Sequence, residues 1–230
     1  MISICVPFYP YYREYDRTEE IFDVLIPPMI KAGVDNFELV LLDGGVVDKW
    51  ELGRNRDIQE IYSRLRNLWP GELVYILTNQ IITPSNHSKP NKFWMSKAVN
   101  DVIKASSYEN IFIQNVDIEI PKNFVDEYNK NVGGGKVWFP RCYHIKKLMP
   151  RVHENGGWRN SCRGLVGILK SDYWSIGGTD QINYIKDRHD SDLYLRCKAK
   201  YNCIEEQLDG LFHVDHPGCN EKISEYRGTW

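Results

Sequence analysis

The sequence lacks most of the signatures that assign a chemistry at sight. Its 230 residues contain no HExxH, no zinc-finger spacing, no GxSxG and no Walker loop, so nothing points to a zinc protease, a serine hydrolase or a P-loop hydrolase. The formal net charge is only -2, which leaves no electrostatic footprint for nucleic acid or an anionic membrane surface. No apolar run is long enough to span a membrane, and the opening Ile2-Ser3-Ile4-Cys5-Val6 is a strand pattern, not a basic leader. The six cysteines (Cys5, Cys142, Cys162, Cys197, Cys203 and Cys219) form no CxxC pair. Scattered in this way, they are expected to be free thiols in a reducing compartment. No repeat, low-complexity run or linker is visible, so residues 1–230 are read as one domain.

What the chain does have is aromatic surface, with 14 Tyr and 7 Trp. Such rings suit stacking on sugars or bases, and they suit ordinary packing with a wet hydroxyl or N–H equally well. The first half alternates short β-branched runs with amphipathic stretches. Strands are expected at 2–7, 37–42, 73–77 and 111–116, and helices at 18–32, 58–68 and 94–105. This order argues an α/β fold with a mostly parallel, Rossmann-like central sheet and helices on both faces. Ligands of such sheets bind at the carboxyl ends of the strands, where Pro7, Asp43 and Asp117 fall. The second half is less regular. A turn is expected at Gly133-Gly134-Gly135, strands at 137–140, 164–169 and 211–217, helices at 171–176 and 190–199, and a loop with Trp158 at 151–163.

Three segments carry chemistry. The strand 111–116 runs into Asn115-Val116-Asp117-Ile118-Glu119. An apolar strand that ends in acids is costly unless the charges meet a cation or water. Alternation would put Asn115, Asp117 and Glu119 on one side, as oxygen ligands for a hard divalent ion or as a strand end opening into a solvated loop. In the second segment, His189-Asp190-Ser191-Asp192, the carboxylates open a helix. They are a candidate general base there, or a cap with an ion pair from Asp192 to Arg196 one turn on. The third, Leu211-Phe212-His213-Val214-Asp215-His216-Pro217, sets two histidines beside an acid.

Taken together, Val6-Pro7-Phe8 with Arg17, Leu41-Leu42-Asp43-Gly44-Gly45, Ser96-Lys97-Ala98-Val99-Asn100, Asn115-Val116-Asp117, Gly177-Gly178-Thr179-Asp180-Gln181 and His189-Asp190-Ser191-Asp192-Leu193 stand in an ordered series. The series resembles the GT-A-fold nucleotide-sugar glycosyltransferases, the family-2 group and the β-1,4-galactosyltransferase and chondroitin-polymerase type. The resemblance implies a nucleotide-sugar-binding half (1–121) and an acceptor-binding, catalytic half (122–230). It implies that Pro7, Phe8, Arg17, Asp43 and Lys97 line the donor pocket. Asp117 then binds Mn²⁺ or Mg²⁺ at the DxD position, with His213 or His216 completing the metal shell. It further implies that Asn115, Gly178, His189 and Asp192 contact donor or acceptor and that Asp190 is the base; the 151–163 loop, with Trp158, is expected to close over both. Three departures stand out: Asn115 for the first Asp of DxD, His189 for an acidic residue, and Gln181 for Glu.

The expected function is therefore metal-dependent, inverting transfer from a nucleotide-diphosphate sugar, UDP-sugar first, to a hydroxyl of a glycan or other acceptor. With no leader in view, a bacterial or viral enzyme of the cytosol is expected. Two rivals are a weak or inactive nucleotide-sugar or glycan-binding module of the same fold, which the three departures permit, and a nucleotidyltransferase. The last wants a Gly-rich basic loop after the first strand, and Phe8-Tyr9-Pro10-Tyr11-Tyr12 is nothing like one.

Overall fold

The β-branched run after Met1 forms strand β1 (Ile2–Phe8), all seven of whose residues are buried. A strand covered on both faces is what a parallel sheet flanked by helices requires. The computed structural model describes residues 1–9, 11–12, 15–34, 37–44, 57–78, 95–146, 164–180 and 189–215. Within them, a small hairpin β2 (Tyr11–Tyr12) and β3 (Tyr15–Asp16) leads to α1 (Thr18–Glu20), a π-helical turn Ile21–Leu25 and α2 (Ile26–Lys31). Then follow β4 (Glu38–Asp43), α3 (Ile58–Leu68), β5 (Glu72–Leu77), α4 (Met95–Ala105), β6 (Asn110–Ile113), β7 (Ile118–Glu119) and α5 (Phe124–Asn131). The last elements are β8 (Lys136–Trp138), β9 (Arg141–Lys146), β10 (Val166–Leu169), α6 (Lys170–Ser175), α7 (His189–Lys200), β11 (Asn202–Ile204) and β12 (Gln207–Asp215).

The central sheet has seven strands in the order β11-β8-β10-β6-β1-β4-β5. Strands β6, β1, β4 and β5 run parallel, and only β10 is antiparallel to its neighbours β6 and β8. One face of the sheet packs a core with Phe8, Phe22, Leu25, Leu65, Phe112 and Phe124. The other packs Val99, Val102, Ile103, Tyr173, Leu193 and Cys197 from α4, α6 and α7. The architecture is α/β with helices on both faces of a mostly parallel sheet, as the element order predicts.

Two local differences from the sequence reading have physical causes. The helix expected over 18–32 is broken by the π turn, directly before Pro27 and Pro28 at the start of α2. Proline lacks an N–H and crowds the carbonyl four residues back, and a wider turn there relieves both demands. The strand expected to reach Val116 stops at Ile113, and Val116-Asp117 form a turn before β7. Alternation therefore does not aim Asp117; the turn does.

The turn passes the chain into a second sheet of three strands, β7-β12-β9. There His213 pairs with Ile118, and Phe212 with Glu119. No helix among the described residues is long and apolar enough to cross a membrane.

The thiol expectation needs correction. Cys142 is disulfide-bonded, whereas Cys5, Cys197 and Cys203 are free. Burial pushes the Cys197 thiol up to about 12, with Cys203 adding to it, and pushes Cys203 up to about 11, helped by Glu205. Burial, then the charge of Glu38, raises Cys5 further still. Such thiols hold almost no thiolate at neutral pH and are poor nucleophiles. Alkylation in denaturant without reductant, followed by peptide mapping, is expected to label Cys5, Cys197 and Cys203 and to leave Cys142 unlabelled.

Candidate active site

The first part of the site lies where β1 and β4 end side by side. Phe8 is in register with Asp43, and Pro7 with Leu42. Asp43 is fully buried, a costly place for a carboxylate. The Tyr75 hydroxyl donates to its Oδ2 at 2.7 Å, and the Thr78 N–H donates to its carbonyl at 3.0 Å. The Gly44 N–H closes the corner on the Phe8 carbonyl, also at 3.0 Å. Beside this corner Leu42, Ile76, Thr78 and Lys97 line a pocket of about 320 Å³. Lys97 stands on α4 with its ammonium on Asp101 one turn on, so its charge is already paired at the pocket wall.

The second part gathers around Asp117, whose side chain is 6% exposed. Its Oδ2 accepts from Arg17 Nη2 at 2.9 Å and lies 3.2 Å from His213 Nε2. Arg17 stands just before α1 and also donates through Nε to Glu20 Oε2 at 2.9 Å. Glu20 is itself buried. The Val214 N–H donates to the Asp117 carbonyl at 2.8 Å, so β12 fixes backbone and side chain together. Residues from three distant segments thus meet on one carboxylate oxygen. Adjacent strands lie roughly 4.8 Å apart, which sets the ends of β6 and β4, one strand apart, at roughly 10 Å.

The third part is the turn after α6. Gly178 has φ +64, and a Cβ there would fall 2.5 Å from Asn100 Oδ1 and 3.0 Å from the rings of Tyr173 and Trp174. Asn100 of α4 donates to the Thr179 carbonyl at 2.9 Å and accepts from the Thr179 N–H at 3.1 Å. The Tyr173 hydroxyl donates to the same Asn100 oxygen at 2.6 Å. Gly178 is therefore the residue that lets the turn dock on α4. Gly178→Ala is expected to cost about 2–4 kcal/mol from overpacking and strained backbone together. Urea denaturation of the two proteins measures it.

The same turn is tied to α7. Arg196 donates through Nη1 to the Ile176 carbonyl at 2.6 Å and through Nε to Asp192 Oδ2 at 2.9 Å. Asp192 thus makes the expected one-turn ion pair. Asp190 and His189 open α7, and the Asp190 Oδ1 accepts from the Ser191 N–H at 2.8 Å. Asn115, half-buried, sits after β6, with its Nδ2 near Gly164. Trp158, Gln181 and His216 lie outside the described residues.

Arg17, Asp117 and His213 are thus brought into direct contact. Phe8 and Asp43 are joined by register, and Gly178, Asp192 and α7 are linked through Ile176 and Arg196. Sequence reasoning did not single out Glu20 or Tyr75. Glu20 had a signal, a spacing of three from Arg17 at a helix start; Tyr75, on a strand read only as β, had none.

No protein-family model matches the chain, and no curated protein matches it in sequence. Solved structures match it in fold. S. aureus TarS 1-349 aligns with a TM-score of 0.55 at 14% identity, covering 93% of this chain and 60% of that one. The same protein in complex with UDP-GlcNAc gives 0.56 at 12% identity, with 94% and 59% covered. The mannosyltransferase PcManGT from Pyrobaculum calidifontis, in complex with GDP-Man and Mn2+, gives 0.55 at 13% identity, with 97% and 59% covered. The chain has the GT-A fold. It spans about three-fifths of the length of these GT-A structures.

Proposed function

We propose that this GT-A chain transfers a sugar from a nucleotide-diphosphate sugar, UDP-sugar first, to a hydroxyl of a glycan or other acceptor. The observation that carries the reading is the turn that presents Asp117 at the carboxyl edge of the sheet, with His213 Nε2 at 3.2 Å from its Oδ2. The matched structures hold UDP-GlcNAc in one case and GDP-Man with Mn2+ in the other, which supports the donor class.

A carboxylate and an imidazole fit a divalent ion that takes its remaining ligands from phosphate and water. Among the described residues no group of three or more His, Cys, Asp or Glu could hold a metal unaided. Asp117 and His213 would therefore hold Mn²⁺ or Mg²⁺ together with the donor, and His216 is a further candidate. Bound there, the ion supplies electrostatic stabilisation of the departing diphosphate.

The protein's own residues do the rest. Pro7, Phe8 and Asp43 form the wall against which the nucleoside lies, and Lys97 stands by the diphosphate. Asn115 and Gly178 flank the sugar. Asp190 takes the proton of the acceptor hydroxyl, whose oxygen attacks the anomeric carbon from the face opposite the leaving nucleoside diphosphate and inverts it. His189 and Asp192 position the acceptor, and Trp158 covers it. Residues 1–121 form the donor half and 122–230 the acceptor half. The setting proposed is the cytosol.

A second reading has its own observation. Arg17 already sits on Asp117 at 2.9 Å, as in a fold that holds a nucleotide sugar or glycan without turning it over. One experiment separates the two: nucleoside-diphosphate release from UDP-, GDP- and dTDP-sugars with Mn²⁺, run beside calorimetric titration of each donor. Release above the protein-free rate supports the transferase. Binding without release across the whole panel supports the module, and neither binding nor release overturns both the transferase and a module that holds a nucleotide sugar.

A further inference from the structure

Glu20 is a buried acid that is only half satisfied. It is 4% exposed, a costly place for a carboxylate unless its oxygens are met. Arg17 contacts Glu20 Oε2 twice, through Nε at 2.9 Å and Nη2 at 2.7 Å. The other oxygen, Oε1, is buried with no hydrogen-bond partner among the described residues. A guanidinium and a carboxylate pair most strongly as two forks, with one N–H to each oxygen. Here the fork is incomplete, and the same Nη2 donates to Asp117 Oδ2 at 2.9 Å.

The backbone holds the acid in place. Arg17 stands just before α1, and the Glu20 N–H donates to its carbonyl at 3.0 Å. The two side chains are three residues apart on one turn, the spacing at which they meet. Directly after Glu20 the π-helical turn sets Ile21, Phe22, Val24 and Leu25 into the core. Glu20 is thus anchored, whereas the long Arg17 side chain has several bonds about which it can turn.

Occupation of Asp117 changes what Arg17 needs. His213 Nε2 stands 3.2 Å from the oxygen that Arg17 holds, close to the roughly 3 Å between neighbouring ligands of an octahedral ion. A dication bonded to that oxygen repels a guanidinium on the same atom. Glu20 Oε1 is within reach of Arg17, because it belongs to the carboxylate that Arg17 already touches. Turning Nη2 from Asp117 to Oε1 completes the fork, keeps the guanidinium neutralised and meets the unpaired oxygen.

We infer that Glu20 is a positioning residue for cation binding, whose Oε1 receives Arg17 when Asp117 takes up a divalent ion. The inference rests on the metal role proposed for Asp117. Mn²⁺ binding in the presence of UDP, read from the paramagnetic resonance signal of the free ion, tests it without acceptor or turnover. Glu20→Gln keeps the shape of the side chain but loses the charge that draws Arg17 off Asp117. It should weaken Mn²⁺ binding about tenfold. A long-range effect of the lost charge would persist without Arg17. An effect carried through Arg17 vanishes in Arg17→Gln, where adding Glu20→Gln should change the affinity less than about twofold.

A measurement on the unaltered side chains covers a variant that does not fold. In ¹⁵N-labelled protein the Arg17 Nε–H cross-peak is assigned by its loss in Arg17→Lys, and Mg²⁺ is titrated in with UDP present. The peak should shift saturably and stay protected from exchange with water, since Nε remains on Glu20 throughout. A peak that Mg²⁺ leaves in place, or that is lost to exchange as Mg²⁺ binds, overturns the role of Glu20. An equal fall in Mn²⁺ affinity in both backgrounds, or no fall in either, does the same. If Mn²⁺ does not bind the native chain even with UDP, the metal role of Asp117 falls and Glu20 with it. Binding with an unmoved Arg17 peak removes the role of Glu20 alone.

Discussion

Asp117→Asn is expected to lower sugar transfer about a thousandfold while leaving the protein folded. The amide keeps the shape of the carboxylate and one oxygen that can still accept from Arg17 Nη2, now 2.9 Å away. It loses the negative charge that a cation at the diphosphate requires. Removing one partner of a buried ion pair normally costs about 3–5 kcal/mol, because the other charge is stranded. Here Arg17 is not stranded, since Glu20 Oε2 lies 2.7 Å from its Nη2. The stability cost should therefore stay near 1–2 kcal/mol. Donor release and transfer rates, set beside urea denaturation of the same proteins, separate the two effects. Full metal-dependent transfer by the variant would remove Asp117 from the metal corner.

Asp190→Asn should cut transfer by about 10²–10⁴-fold and leave donor affinity unchanged. The residue opens α7, where the helix dipole favours a carboxylate, and its Oδ1 is held by the Ser191 N–H at 2.8 Å. An asparagine keeps that hydrogen bond, so the helix start survives and the loss is one of proton transfer. Calorimetry with the donor and single-turnover transfer check the two halves of the claim. Near-normal turnover would remove Asp190 as base and make a retaining mechanism the better account.

The parallel half of the fold is legible in the sequence because each element is local. The helix Ile58–Leu68 has its expected bounds, with Ile61 and Leu65 buried and Leu68 exposed at its end, and β1, β4 and β5 fall within one residue of their expected ends. The strand order and the carboxyl edge follow from that alternation. The second sheet is not legible. It joins Ile118–Glu119 to residues about a hundred positions away, and no periodicity in two or three residues announces such a pairing. Of the site, Asp117 and His213 could be named from motif order, but their contact depends on that unreadable sheet. Tyr75 on Asp43 was invisible for a similar reason, since parallel register sets Tyr75 opposite Leu41 and Leu77 opposite Asp43, and the hydroxyl reaches Asp43 diagonally across the strands. Gly178 was legible as a motif glycine, but its docking against Asn100 was not.

Arg17 gives Asp117 a counter-ion that belongs to the chain. Small zinc domains unfold when chelated because metal binding supplies most of their folding free energy and the ligands are otherwise left without a partner. Here the tether of α1 to the turn after β6 supplies the neutralisation, so EDTA should leave the thermal midpoint unchanged even where it stops transfer. The same contact makes the guanidinium a rival for Asp117 Oδ2. Under the proposed metal role, a free ion would have to displace or share it, and would bind weakly until a diphosphate brought charge of its own. On the reading proposed above, the protein would be made, stored and purified without metal, and would need it only on meeting a donor.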